Sequence, residues 1–304
     1  MSVGKMHADE VETDVALVRR LLEAQFPQWA GLPIAPCPSS GTDNAIYRLG
    51  ESLAVRLPRI GWAVGQVEKE HRWLPGLAPH LPLAIPVPLA VGAPAEGYPW
   101  HWGVYPWLAG ANATFERLAD PCQAAEDLAR FVVALRQVDA AGGPPPGEHN
   151  SRRGEPLAAR DASARAGIAS LDGLYDGAAL TAAWEAALAA PAWGGEPVWI
   201  HGDLQAGNLL AVEGRLSAVI DFGCLGVGDP ACDLMVAWNL FTGESRAAFR
   251  AAVAVDEATW ARGRGWALWM GLVALPYYQD TNPVLAGIAR RAIGAVLAER
   301  AAGA

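Results

Sequence analysis

VWIHGDLQAGNLLAVEGRLSAVIDFGCLGVGDPACDLMVAW, residues 198–238, decides how this chain folds. The β-branched and aromatic run Val198-Trp199-Ile200 predicts a short strand that delivers His201-Gly202-Asp203 into a loop. After Asn208, residues 209–212 and 216–220 read as the arms of a hairpin around a Glu213-Gly214-Arg215 turn. In an antiparallel pair the start of one arm lies beside the end of the other, so Asn208 and Asp221 should meet there, with Asp203 just upstream. Two oxygen donors and a separate carboxylate are what phosphoryl transfer needs. Mg²⁺ is a hard cation that takes one or two protein oxygens beside phosphates and water. A separate carboxylate orients the acceptor hydroxyl and takes its proton.

Asp203 and Asn208 have the D-x-x-x-x-N spacing of a kinase catalytic loop, and Asp221-Phe222-Gly223 matches the D-F-G metal motif. Asp-Phe-Gly alone is weak, and a buried hairpin with ordinary turn acids is the competing interpretation. The ordered set is far more specific. With Gly228-Asp229-Pro230 and Asp233-Leu234 following, the stretch resembles the aminoglycoside phosphotransferase family, the small-molecule branch of the protein-kinase-like fold. His201-Gly202-Asp203 stands where protein kinases usually carry His-Arg-Asp. The resemblance extends over roughly residues 39–278. It implies an α+β, protein-kinase-like two-lobe fold with an N-terminal antiparallel sheet and a larger, mainly helical C-terminal lobe. The expected boundaries are 1–105 for the nucleotide-binding lobe, 106–110 for the hinge and 111–304 for the catalytic and substrate-binding lobe. It also implies Asp203 as catalytic base, Asn208 and Asp221 as Mg²⁺ ligands, and ATP or GTP as phosphate donor.

Composition is compatible with this. Hydrophobic residues make up 52% and charged residues 18% of 304, which describes a folded chain with ample core. No apolar run reaches the length of a membrane span, and the polar, acidic N-terminus does not resemble a secretory signal. Cys37, Cys122, Cys224 and Cys232 are scattered and form no CxxC pair, so reduced thiols in a cytoplasmic protein are expected. The net charge of −9 argues against nucleic acid as a partner. It is uneven: about −2 up to Tyr105 and about −7 from Pro106 onward, counted from the sequence. An acidic C-terminal half would attract a cationic substrate, although acidity for solubility alone gives the same count.

Along the chain, residues 14–26 carry apolar side chains at helical spacing, capped by Thr13 or Asp14 and stopped by Pro27. Ser39-Ser40-Gly41-Thr42-Asp43-Asn44 separates two strand-like stretches. In kinase-like folds such a turn covers the nucleotide phosphates through backbone N–H groups, which nominates Ser40 and Thr42. It is not a Gly-x-Gly-x-x-Gly loop, and an ordinary hairpin loop fits equally. Residues 53–57 read as a strand on which Arg56 fills the place of the family's phosphate-binding lysine. The two lysines, Lys5 and Lys69, lie elsewhere. A guanidinium can contact phosphate and carboxylate oxygens in a fork. Residues 65–74 look helical and supply Glu70, with Glu68 as competitor, as its partner.

Residues 102–105 form a strand leading to Pro106-Trp107, where Tyr105 and Trp107 are candidates for the nucleotide site through backbone contacts to a purine. Packing of an aromatic strand is the alternative. Ile220, beside Asp221, is the remaining candidate. Residues 121–140 are amphipathic. A Gly-Gly-Pro-Pro-Pro-Gly break then opens a polar loop, 148–153, which reads either as a substrate-facing lid or as a surface excursion. Trp184 and Trp193 are expected to pack a later helix on the core. Trp260, Trp266 and Trp269 are core or pocket wall, with Tyr277, Tyr278 and Asp280 nearby. Asp229 and Asp233 should brace the loop after Asp221 by capping a helix near Pro230, and His201 should position the loop.

Together these features predict Mg²⁺-dependent transfer of a nucleotide γ-phosphate to a hydroxyl of a small cationic molecule, an aminoglycoside first. A macrolide, a peptide antibiotic, choline or a homoserine-like metabolite is the alternative acceptor. A catalytically silent nucleotide-binding module is the reading from another class, supported by Arg56 alone.

Overall fold

The computed structural model describes residues 10–38 and 43–302. The chain divides into two compact units, one of residues 1–79, 84–109 and 219–223, the other of residues 80–83, 110–218 and 224–304.

In the first unit, α1 (Val15–Gln25) begins where Asp14 Oδ1 accepts the Leu17 N–H at 2.7 Å. It stops before Pro27, which opens the short α2 (Pro27–Ala30). An antiparallel sheet follows, built from β1 (Ile34–Cys37), β2 (Asn44–Leu49), β3 (Leu53–Pro58), β4 (Ala90–Gly92) and β5 (Trp102–Pro106), in the order β1-β2-β3-β5-β4. Alternation along β2 buries Ala45, Tyr47 and Leu49, which pack with Leu17, Val18, Leu21 and Leu22 of α1 and with Val55, Leu57, Trp102 and Val104. Helix α3 (Gln66–Leu77) completes this unit. Ser40 and Thr42 lie outside the described residues.

The second unit holds a three-stranded sheet of β6 (Ala111–Asn112), β8 (Leu209–Val212) and β9 (Arg215–Val219), in the order β6-β8-β9. A separate antiparallel pair joins β7 (Val198–Ile200) to β10 (Gly226–Gly228), with Ile200 opposite Gly226. The hairpin turn is tighter than the sequence suggests. Only Glu213 and Gly214 lie outside the strands, at φ 50° and 78°, as a two-residue turn with both residues left-handed requires.

Helices form the rest of the unit: α4 (Pro121–Gln137), α5 (Asp161–Ser170), α6 (Gly177–Leu188), α7 (Val236–Asn239), α8 (Gly243–Val253), α9 (Glu257–Tyr278) and α10 (Pro283–Ala302). Leu128, Phe131, Val132 and Leu135 of α4 are buried, as their periodicity predicts. Trp260, Trp266 and Trp269 of α9 are buried too, whereas Tyr277 and Asp280 are exposed. Trp184 is buried with Nε1 donating to Asp161 at 2.8 Å. Trp193 departs from expectation: it sits past the end of α6, 36% exposed, with its indole N–H on Glu196 O. Among the described residues no helix is long and apolar enough to cross a membrane.

Candidate active site

Strand β7 ends at Ile200, and the loop beyond it is held from within. The buried Asp233 carboxylate accepts the N–H of His201 at 2.8 Å and that of Gly202 at 2.7 Å. Sequence reasoning cast Asp233 as a helix cap, but only Asp229 caps, accepting the Ala231 N–H at 3.0 Å ahead of the 3₁₀ turn at Pro230–Met235. The difference comes from β10, whose pairing with β7 carries the following turn back under the loop. Burial raises the Asp233 pKa, opposed by His201 and by the two backbone donors. Asp229 in turn is locked by Arg262, whose Nε and Nη2 donate to its two oxygens at 2.8 and 3.1 Å.

Gly202 is needed for this turn. Its φ is +83°, and a Cβ there would sit 2.6 Å from Cys224 O. Gly202→Ala should therefore cost about 1–3 kcal/mol, the usual range for forced overpacking, in urea unfolding. Wild-type stability in that variant would show that the turn relaxes freely.

The loop then presents Asp203. Its Oδ2 accepts from Gln205 Nε2 at 3.0 Å and from Asn208 Nδ2 at 2.9 Å. Asn208 Nδ2 also donates to Asp203 O at 2.8 Å. With Nδ2 committed twice, the amide presents Oδ1 as its remaining polar atom. His201 Nδ1 accepts the Asp203 N–H at 3.2 Å from a fully buried ring, a positioning contact. Asp203 Oδ1 has Arg153 Nη2 at 3.9 Å. Neither Arg153 nor Gln205 was singled out from the sequence. Gln205 could have been, since it is two residues from Asp203, but nothing local marks Arg153.

The loop carrying Arg153 keeps Glu148, His149, Ser151 and Arg152 exposed but is anchored from within. Asn150 and Arg153 are buried, and Asp229 N donates to Gly154 O at 2.9 Å. Burial works against the Arg153 cation, yet Cys224, Cys232 and Asp203 outweigh it and leave its pKa above the ordinary arginine value.

The first unit carries the other candidate residues. Arg56 on β3 is buried, with Nη1 on Glu70 Oε1 at 2.6 Å, Nη2 on Gln66 Oε1 at 2.7 Å and Nη2 3.6 Å from Asp221 Oδ1. Of the two acidic candidates on α3, Glu70 reaches Arg56, while Glu68 pairs with His101 Nδ1 at 2.7 Å. Tyr105 OH donates to the second Glu70 oxygen at 2.7 Å, so its side chain supports the ion pair from inside. Burial opposes the Arg56 cation, but Glu70, Tyr105 and Asp221 together raise its pKa.

Asp221 has φ +63°, a left-handed conformation that Asp tolerates better than most residues, and its side chain is 48% exposed. The residues after it are gripped by α3: Lys69 Nζ donates to Gly223 O at 2.7 Å, and a Cβ on Gly223 would strike the Gln66 amide. Gln66, Lys69 and Glu70 occupy one face of α3, a spacing that could have flagged all three. At the end of β5, Trp107 donates its backbone N–H to Ser52 O at 2.7 Å, and its ring lies under the Arg48 guanidinium at 4.0 Å. Ile220 is half-buried beside Asp221.

Asn208 offers an amide oxygen and Asp221 an open carboxylate, the hard donors Mg²⁺ prefers. Among the described residues no group of three or more His, Cys, Asp or Glu side chains could cage a metal.

An antiparallel five-stranded sheet with α3 inserted between β3 and β4, a mainly helical second unit and these loops define a protein-kinase-like fold. The model of the phosphotransferase enzyme family matches residues 37–266, and the chain belongs to that family. An aminoglycoside 3'-phosphotransferase from Escherichia coli is 48% identical over 44 residues, 14% of this chain and 16% of that protein's length. Among solved structures, the GDP complex of aminoglycoside 2'-phosphotransferase-IIIa matches with a TM-score of 0.74 at 17% identity, covering 95% of this chain and 100% of the other. A macrolide 2'-phosphotransferase from Brachybacterium faecium matches at 0.59 with 23% identity, covering 90% and 98%. At these identities the structural likeness is one of fold.

Proposed function

We propose that this protein transfers the γ-phosphate of ATP or GTP, in the presence of Mg²⁺, to a hydroxyl group of a small antibiotic-like molecule. The observation that carries the reading is the Asp203–Asn208 contact. One amide nitrogen fixes the carboxylate expected to receive a proton, and the same amide offers its oxygen to a cation. In the reaction the acceptor oxygen bonds to the γ-phosphorus, the β,γ-bridging P–O bond breaks, and the acceptor proton passes to Asp203. Asn208 and Asp221 would hold Mg²⁺, which when bound offsets charge on the phosphate oxygens. Arg56, kept in place by Glu70, Gln66 and Tyr105, would contact the phosphates that are not transferred. Residues 106–110 serve as the hinge between lobes 1–105 and 111–304, and Ile220 and the backbone around Tyr105 and Trp107 flank the base.

An aminoglycoside is the leading acceptor, supported by family membership and by the local match to an aminoglycoside 3'-phosphotransferase. A macrolide is the second reading, supported by the likeness in fold to a macrolide 2'-phosphotransferase over 98% of that chain.

Incubating the protein with Mg²⁺ and ATP or GTP against kanamycin, gentamicin, streptomycin and a macrolide should add one phosphoryl group to at least one of them by mass spectrometry. Absence of any product, with nucleotide turnover indifferent to Asp203→Asn, would leave a nucleotide-binding module in its place.

A further inference from the structure

The fold buries an arginine next to the carboxylate proposed as base and leaves much of its hydrogen-bonding capacity unused. Arg153 is 6% exposed. Its Nε and Nη1 have no hydrogen-bond partner among the described residues. Nη2 makes a weak contact to Met270 Sδ at 3.9 Å and faces Asp203 Oδ1 at the same distance, while Cys224 and Cys232 lie close enough to favour the cation. The guanidinium lies 4.8 Å from the Trp269 ring centroid and 5.9 Å from that of Trp266. Taking a cation out of water with so few partners is costly, and stacking on tryptophan recovers only part of that.

The segment that delivers it is itself built at a cost. Ser151 and Arg152 are both left-handed, at φ 51° and 57°, and Gly154 follows at 83°. Asn150 stitches the turn by accepting Gly147 N–H at 3.0 Å and donating to Arg153 O at 3.2 Å. The outer end is tied to β10, with Val227 N donating to Pro144 O at 2.9 Å. Left-handed residues on both sides, an under-bonded buried cation and an approach to the catalytic loop coincide at this turn, and such coincidences mark functional sites more often than packing sites.

We propose that Arg153 is a positioning residue for phosphoryl transfer, clasping Asp203 through Oδ1 while Gln205 and Asn208 hold Oδ2. The carboxylate is then gripped from both sides, and its rotamer is set before any acceptor arrives. The loop read from sequence as lid or excursion is in this view a wall of the catalytic loop. The inference rests on the phosphotransferase reading and deepens it.

The test uses Mg²⁺-dependent turnover of ATP and GTP by the full chain, with water and with the acceptor panel above. Arg153→Met keeps the stem that packs on Trp269 but removes the charge. It should lower kcat about 100-fold, the scale of a misplaced catalytic group, with KM for the nucleotide unchanged. Arg153→Lys keeps the charge and should recover part of that loss. If Arg153→Met does not fold, Arg153→Gln carries the same expectation. A neutral variant with wild-type kcat overturns the proposal. So do equal losses in the Lys and neutral variants, which would assign the effect to packing, and a rise in nucleotide KM in place of the kcat loss, which would put Arg153 on phosphate. Wild-type protein that turns over nothing, or whose turnover ignores Asp203→Asn, defeats the parent reading instead.

Discussion

Asp203→Asn should reduce phosphoryl transfer by about 100- to 10,000-fold, the range for a positioned general base, while nucleotide affinity stays near wild type. The substitution is close to isosteric. The side chain is only 23% exposed, and its Oδ2 already receives two N–H donors, so an amide oxygen can take the same place. What an amide cannot do is accept the acceptor's proton. The contacts that frame the loop do not depend on that charge, because Asp233 holds the backbone of His201 and Gly202 from below. The loss should therefore fall on kcat, with melting temperature and nucleotide titration nearly unmoved. Asp203→Asn with an undiminished rate on every acceptor would remove Asp203 from the chemistry. A variant that loses nucleotide binding as well would show that the loop, and not the base, had been disturbed.

What could be read from the sequence was local. Asp203, Gln205 and Asn208 lie within six residues, so their spacing fixes a loop whatever surrounds it. The hairpin after Asn208 follows from a Glu-Gly turn between apolar arms. Arg56 was legible as the only permanent cation on its strand, and Glu70 as one of two acids two residues apart on the next helix, of which only one can face Arg56.

The remainder depended on pairings between distant segments. Gly226-Val227-Gly228 has no alternation and offers no strand signal, yet it becomes β10 because Val198-Trp199-Ile200 needs a partner. That pairing redirected Asp233 from cap to clasp. It also anchors the segment that brings Arg153, fifty positions earlier in the chain, against Asp203. A buried arginine in a loop rich in Gly, Pro and Arg looks like a solvated one until its neighbours are known. Trp193 shows the reverse error: a large apolar residue near a helix was read as core, but the helix ends first, at Leu188.

Arg56→Met should destabilise the protein by about 3–5 kcal/mol in urea unfolding, the usual loss when one partner of a buried ion pair is removed. Glu70 is fully buried, and without Arg56 its charge would keep only the Tyr105 hydroxyl at 2.7 Å. The penalty belongs to the abandoned carboxylate more than to the missing attraction. The double variant Arg56→Met with Glu70→Gln should accordingly be more stable than Arg56→Met alone, since a neutral amide can still accept from Tyr105. This cycle separates two roles that the single substitution confounds. If Arg56 serves only the fold, restoring stability in the double variant restores nucleotide affinity as well. If it reaches phosphate, affinity stays weak in a protein that is folded again, because Glu70→Gln does not restore the guanidinium fork of Arg56. Isothermal titration with ATP and GTP on the three proteins distinguishes these outcomes, and full affinity in the double variant would take Arg56 out of the nucleotide site.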